Sequence, residues 1–186
     1  MRVLMTCAPG SGHVYPLVAL ALTATREGHD VKIATGPAYR DTVEGAGISF
    51  HRAGLDWNTS TIDPREGGVM MWAKNPPAFA RDLLTLFETW QPDVVVHEYT
   101  EFGGWLAAEK AGKPHADLSE GIPGDPAILP PEPRAILNET RHGLGLPTVD
   151  SPAASDEYLL LELLPPSWVA HRGYEPETLH YIPPLS

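Results

Sequence analysis

The residues best suited to chemistry sit in one short stretch, Pro9-Gly10-Ser11-Gly12-His13-Val14-Tyr15-Pro16. His13 is the titratable side chain of this glycine turn. With a reference pKa of about 6.5, a histidine exchanges a proton near neutral pH and serves as a general base. Two glycines permit close approach of a ligand to the backbone, and a helix start beyond them offers free N–H groups and a positive dipole end. Gly10, Ser11 and Gly12 are therefore candidate ligand contacts.

The flanking elements that must position this turn are legible. Val3 to Ala8 reads as a buried strand, and Val14 to Glu27 as a helix closed by Gly28. Pro16 fits a first helical turn. Strand, glycine turn and helix together open an α/β unit whose ligand side is the carboxyl end of the strand. The dinucleotide fingerprint G-x-G-x-x-G fails, because Tyr15 stands where the third glycine belongs, and the phosphate loop G-x-x-x-x-G-K-[ST] is absent. What remains is G-x-G-H-x-x-P.

Further along, Val31 to Ala34 suits a second strand, Ala38 to Gly45 a short helix, and Ile48 to Phe50 a third strand. This β-α-β-α-β order predicts a doubly wound, mainly parallel Rossmann-like sheet. Gly54 to Asn75 reads as a long irregular stretch. Its Trp57, Met70 and Trp72 suggest a surface for an apolar small molecule. Asn75 reads as the cap of a helix whose core face is Phe79, Leu83, Leu86, Phe87 and Trp90. Val94-Val95-Val96 is typical of a central parallel strand. His97, Glu98, Tyr99 and Thr100 follow at its carboxyl end, and Glu101 to Ala111 is the next helix. Pro114 to Leu118 gives another strand. The proline-rich segment from Ser119 to Pro133 reads as irregular, placed with the 54–75 stretch along one cleft. Arg134 to His142 reads as a helix and Tyr158 to Leu164 as a strand-like run.

The pattern G-x-G-H-x-x-P resembles the amino-terminal signature of GT-B fold glycosyltransferases, the UDP-glycosyltransferase-like enzymes of bacterial natural-product synthesis. Arg2-Val3-Leu4-Met5, Glu27 to Val31, Pro92 to Glu98 and Ala107 to Pro114 extend the likeness in the same order. The resemblance implies an amino-terminal, acceptor-binding domain over residues 1–186, with 176–186 approaching an interdomain linker. The carboxyl-terminal donor-binding domain is missing from the sequence, so the chain alone is expected to be inactive and to need that domain in cis or in trans. By the same resemblance His13 is the base that deprotonates an acceptor hydroxyl, in an inverting transfer from a nucleotide diphosphate sugar. Relatives place an aspartate after the fourth strand to hold the far ring nitrogen. Glu98 occupies that place here, one methylene longer, with Glu101 as second candidate. Tyr99 and Glu101 join Trp57, Met70 and Trp72 as expected acceptor contacts. Non-catalytic binding on the same scaffold is the competing reading; a nucleotide-dependent oxidoreductase is disfavoured by the failed fingerprint.

Composition narrows the partners. The 186 residues suit one domain, and a formal net charge of −11 argues against nucleic acid or an anionic membrane. A hydrophobic small molecule is the expected acceptor. No cofactor is expected, the nucleotide sugar being a co-substrate. The single cysteine, Cys7, fits a reducing, cytoplasmic setting. The other histidines show no metal-ligand spacing, so no metal site is expected. No apolar segment has the length of a membrane span.

Overall fold

The computed structural model of the chain describes residues 1–119, 131–150, 155, 158–169 and 179–182. Among these, strands β1 (Arg2–Thr6), β2 (Asp30–Thr35), β3 (Ser49–Arg52), β4 (Val94–Glu98), β5 (His115–Ser119), β6 (Leu160–Glu162) and β7 (Leu179–Tyr181) form one sheet in the order β3-β2-β1-β4-β5-β6-β7. Every pairing is parallel. The expected doubly wound α/β sheet is thus observed. Its order reverses between β1 and β4, which pair from Val3↔Val94 to Thr6↔His97. In such sheets the crevice beyond this switch point is where ligands bind.

Helices α1 (Ser11–Arg26), α2 (Arg40–Gly45), α3 (Pro64–Val69), α4 (Asn75–Thr89), α5 (Phe102–Lys110), α6 (Pro131–Gly143) and α7 (Pro166–Val169) join the strands. Two apolar layers result. On one face Val3, Met5 and Val96 pack with Val14 and Leu17 of α1; on the other Leu4 and Val95 pack with Phe79 and Leu83 of α4 and Trp105 of α5. Alternation along β4 therefore sends Val96 and Glu98 to the α1 face, and Val95 and His97 to the α4–α5 face. Gly28 and Gly112 follow α1 and α5 at φ of 84° and 62°, a conformation that glycine alone adopts at little cost.

Several boundaries differ from expectation. Helix α1 begins at Ser11, so Pro16 lies inside it, beyond the first turn. The 54–75 stretch is not irregular throughout: α3, capped by the Asp63 side chain, runs through a π-helical segment, Met70–Lys74, directly into α4. Asn75 does not cap that helix. It is buried, and its side-chain oxygen accepts a bond from Leu55 N at 2.9 Å. Helix α6 starts at Pro131, ahead of the expected Arg134. Part of the 176–186 segment is the edge strand β7, paired with β6. Most of the 119–133 segment lies outside the described residues. No helix among the described residues is long and apolar enough to cross a membrane.

Candidate active site

The site is built where β1 and β4 end side by side. Beyond β1 the chain reaches Gly10, whose extended backbone (φ −155°, ψ 150°) caps α1. That conformation is open to any residue, so Gly10 is required for space. A Cβ there would run into the Thr59 side chain and lie 2.8 Å from His13 Cδ2. Thr59 N–H in turn donates to the Pro9 carbonyl at 2.9 Å, fixing the loop after β3 onto the turn. Gly12, by contrast, has open space around it.

His13 lies in the first turn of α1. Its Nδ1 is 3.2 Å from Glu98 Oε2, with 21% of the histidine side chain exposed and none of the glutamate's. The two residues are far apart in sequence and meet because both elements end on one rim of a parallel sheet. Glu98 is held on every side. Thr100 N–H donates to Oε1 at 2.9 Å, the Thr100 hydroxyl lies 2.7 and 2.8 Å from the two oxygens, and Ala8 N–H reaches Oε2 at 3.5 Å. The extra methylene is taken up by folding the carboxylate back over its own turn.

Glu101 is not brought to His13. Its two oxygens accept from Gly103 N at 2.6 Å and Gly104 N at 2.8 Å, capping α5. It is buried at 2% exposure, which removes it from an acceptor surface as well. Burial pushes its carboxyl up to about 7 and the charge of Glu98 adds to this, against the opposing pull of the Thr6 hydroxyl and the capping N–H groups.

The remaining candidates divide. Ser11 Oγ is 3.1 Å from the Tyr39 hydroxyl, and Ser11 and Gly12 are exposed beside His13. Tyr99 is half-buried, its N–H donating to the Leu118 carbonyl at 3.1 Å. Met70 and Trp72 are half-buried in the π-helical segment, and Trp72 packs on Phe102 at 4.8 Å between ring centroids. Trp57 is buried in the core at 7% exposure rather than displayed on a surface. Sequence reasoning missed Thr100 and Thr59, since short polar residues carry no periodic signal. It also missed a buried polar chain on the opposite sheet face: His97 Nε2 is 3.2 Å from His115 Nδ1, and Ser155 donates to Asp117 at 2.7 Å.

Comparison with known proteins falls on the same elements. The family described as the glycosyltransferase family 28 N-terminal domain matches residues 3–115, from β1 into β5, and so contains both His13 and Glu98. This chain belongs to that family. The chain is 28% identical over 207 residues to the L-demethylnoviosyl transferase of Streptomyces niveus, covering 98% of this chain and 50% of that protein. It is 34% identical over 138 residues to the 4'-demethylrebeccamycin synthase of Lentzea aerocolonigenes, covering 65% of this chain and 32% of that one. This chain thus spans half or less of the length of these curated relatives. Among solved structures, the calicheamicin glycosyltransferase CalG4 superposes with a TM-score of 0.75 at 22% identity, over 98% of this chain and 52% of its own. That likeness places the fold as the Rossmann-like half of a GT-B glycosyltransferase.

Proposed function

We propose that this chain is the acceptor-binding half of an inverting glycosyltransferase that moves a sugar from a nucleotide diphosphate to a hydroxyl of a hydrophobic natural product. The observation that carries the reading is the His13–Glu98 contact at the β1–β4 switch point. With Glu98 on Nδ1, that nitrogen keeps its proton, and Nε2 is the nitrogen left to take a proton from an acceptor. The acceptor oxygen attacks the anomeric carbon from the side opposite the nucleotide. The new C–O bond forms as the old one breaks, its electron pair leaves with the diphosphate, and the configuration inverts. The hydroxyl proton ends on His13, whose imidazolium is stabilised by the Glu98 carboxylate. Ser11 and Gly12 beside the histidine, with Met70, Trp72 and Tyr99, are the residues proposed to meet the acceptor. The donor-binding domain acts in cis or in trans.

The test uses an enzyme that holds both halves. His13→Ala is expected to lower turnover by on the order of a hundredfold or more with the melting temperature retained. Full turnover in a folded His13→Ala enzyme overturns the assignment. Calorimetry of this chain alone with nucleotide sugars is expected to show little heat, and tight donor binding would count against the half-enzyme reading. A binding domain without catalysis would lose acceptor affinity, rather than turnover, when the site is altered.

A further inference from the structure

We infer that Thr100 is a positioning residue: its hydroxyl and N–H lock the Glu98 carboxylate so that one oxygen, Oε2, is presented to His13 Nδ1. The inference rests on the reading of His13 and Glu98 as the base and its partner.

A glutamate has one more rotatable bond than an aspartate, so a carboxylate on it is harder to fix in one place. Here the freedom is removed locally. Oε1 is engaged by Thr100 N–H at 2.9 Å and by the Thr100 hydroxyl at 2.7 Å. The same hydroxyl is 2.8 Å from Oε2, so its single proton lies between the two oxygens and pins the carboxylate as a whole. The Thr100 N–H engages Oε1, which leaves Oε2 turned toward Ala8 N–H at 3.5 Å and Nδ1 at 3.2 Å. The two oxygens are thereby made unequal, and the one away from the Thr100 N–H is the one that meets the histidine. Thr100 is itself 5% exposed and Glu98 fully buried, so water does not replace the clamp. Thr100 is buried and its side chain bonds Glu98, through which it acts.

The inference predicts a tautomer signature. In the 186-residue chain, nitrogen NMR of neutral His13, assigned with a His13→Gln variant, should show the Nδ1–H tautomer dominant. Thr100→Val keeps the shape and removes the hydroxyl. It is expected to lower the Nδ1–H to Nε2–H ratio by roughly tenfold, the effect of losing one hydrogen bond to a charged group. Thr100→Ser should restore the ratio. If Thr100→Val does not fold, Thr100→Ala is read in its place, with melting recorded for each. Glu98→Leu, which removes the acceptor altogether, separates the two ideas. If Glu98→Leu leaves the tautomer unchanged, the base-and-partner reading itself fails. If Glu98→Leu shifts it and the Thr100 variants do not, that reading stands and the role given to Thr100 is overturned.

Discussion

Glu98 and Glu101 share one tight turn, the Glu101 N–H donating to the Glu98 carbonyl at 2.7 Å, yet their side chains serve opposite faces of the sheet. Glu98 meets His13 on the α1 face, whereas Glu101 caps α5 beside Thr6 and His97. Two carboxylates three residues apart are thus given unrelated tasks by strand alternation and a helix start.

Their separation has a pH consequence. The Glu101 carboxyl is raised from 4.5 to about 7 by burial. Between those values the folded chain holds a proton that the unfolded chain releases. Its contribution is therefore fully present below about pH 4.5 and is lost as pH rises through about 7, with a span on the order of 3 kcal/mol. His97 and His115 act in the opposite sense. Burial lowers both, so stability from them is present above 6.5 and lost as pH falls below it. Glu101→Gln should remove only the first component. Urea unfolding at several pH values is expected to show wild type gaining on the variant as pH falls from about 7 to 4.5. A constant difference across that range would show that Glu101 does not titrate there.

How much was legible in the sequence follows the same logic of local signals. The first strand, the glycine turn and α1 were readable because an apolar run, two glycines and a helical stripe lie together. The meeting of His13 with Glu98 was also readable, because parallel strands end on one rim and β1 and β4 are neighbours. The helical path from Pro64 to Asn75 was not, since Gly67-Gly68 and the half-buried Met70, Met71 and Trp72 imitate loop composition. Strand β7 has three residues and one neighbour, too short for alternation to register. The glycine turn suggests room for a ligand at Gly10, whereas the space there is filled by Thr59 and the His13 ring.

A second prediction concerns Arg141, which ties α6 to α5. Its Nη2 is 2.7 Å from Glu109 Oε2, its Nε donates to the Pro147 carbonyl at 2.6 Å, and its guanidinium stacks 4.7 Å from the Trp105 ring centroid. Trp105 Nε1–H donates to the other Glu109 oxygen at 2.7 Å. Arginine is 2% exposed, so truncation would strand a carboxylate in a largely buried setting. Arg141→Ala is expected to destabilise the fold by about 3 kcal/mol. Arg141→Lys should recover only part, because an ammonium cannot stack on the indole while bonding both partners. Equal melting of Arg141→Ala and wild type would show that this buried contact adds nothing to stability.

The last prediction tests the join between the loop after β3 and the base. Gly10→Ala adds a Cβ into the Thr59 side chain, with Thr59 Cβ 3.1 Å and His13 Cδ2 2.8 Å away. The backbone at Gly10 is extended and costs alanine nothing, so the whole effect is steric. Two neighbours must move, and they belong to different functions. Displacing Thr59 strains the loop that is bonded to the Pro9 carbonyl, which should read out as stability. Displacing the His13 ring spoils its approach to Glu98 and to an acceptor, which should read out as turnover in the enzyme holding both halves. A shift of about 1 Å at a catalytic group costs on the order of a hundredfold. Adding Thr59→Gly to Gly10→Ala should therefore restore much of the lost stability, with a coupling of about 1 kcal/mol. It should leave most of the turnover deficit in place, since the histidine contact persists. Recovery of both quantities together would mean that the loop alone sets the position of His13. Recovery of neither would mean that the methyl group distorts the turn itself.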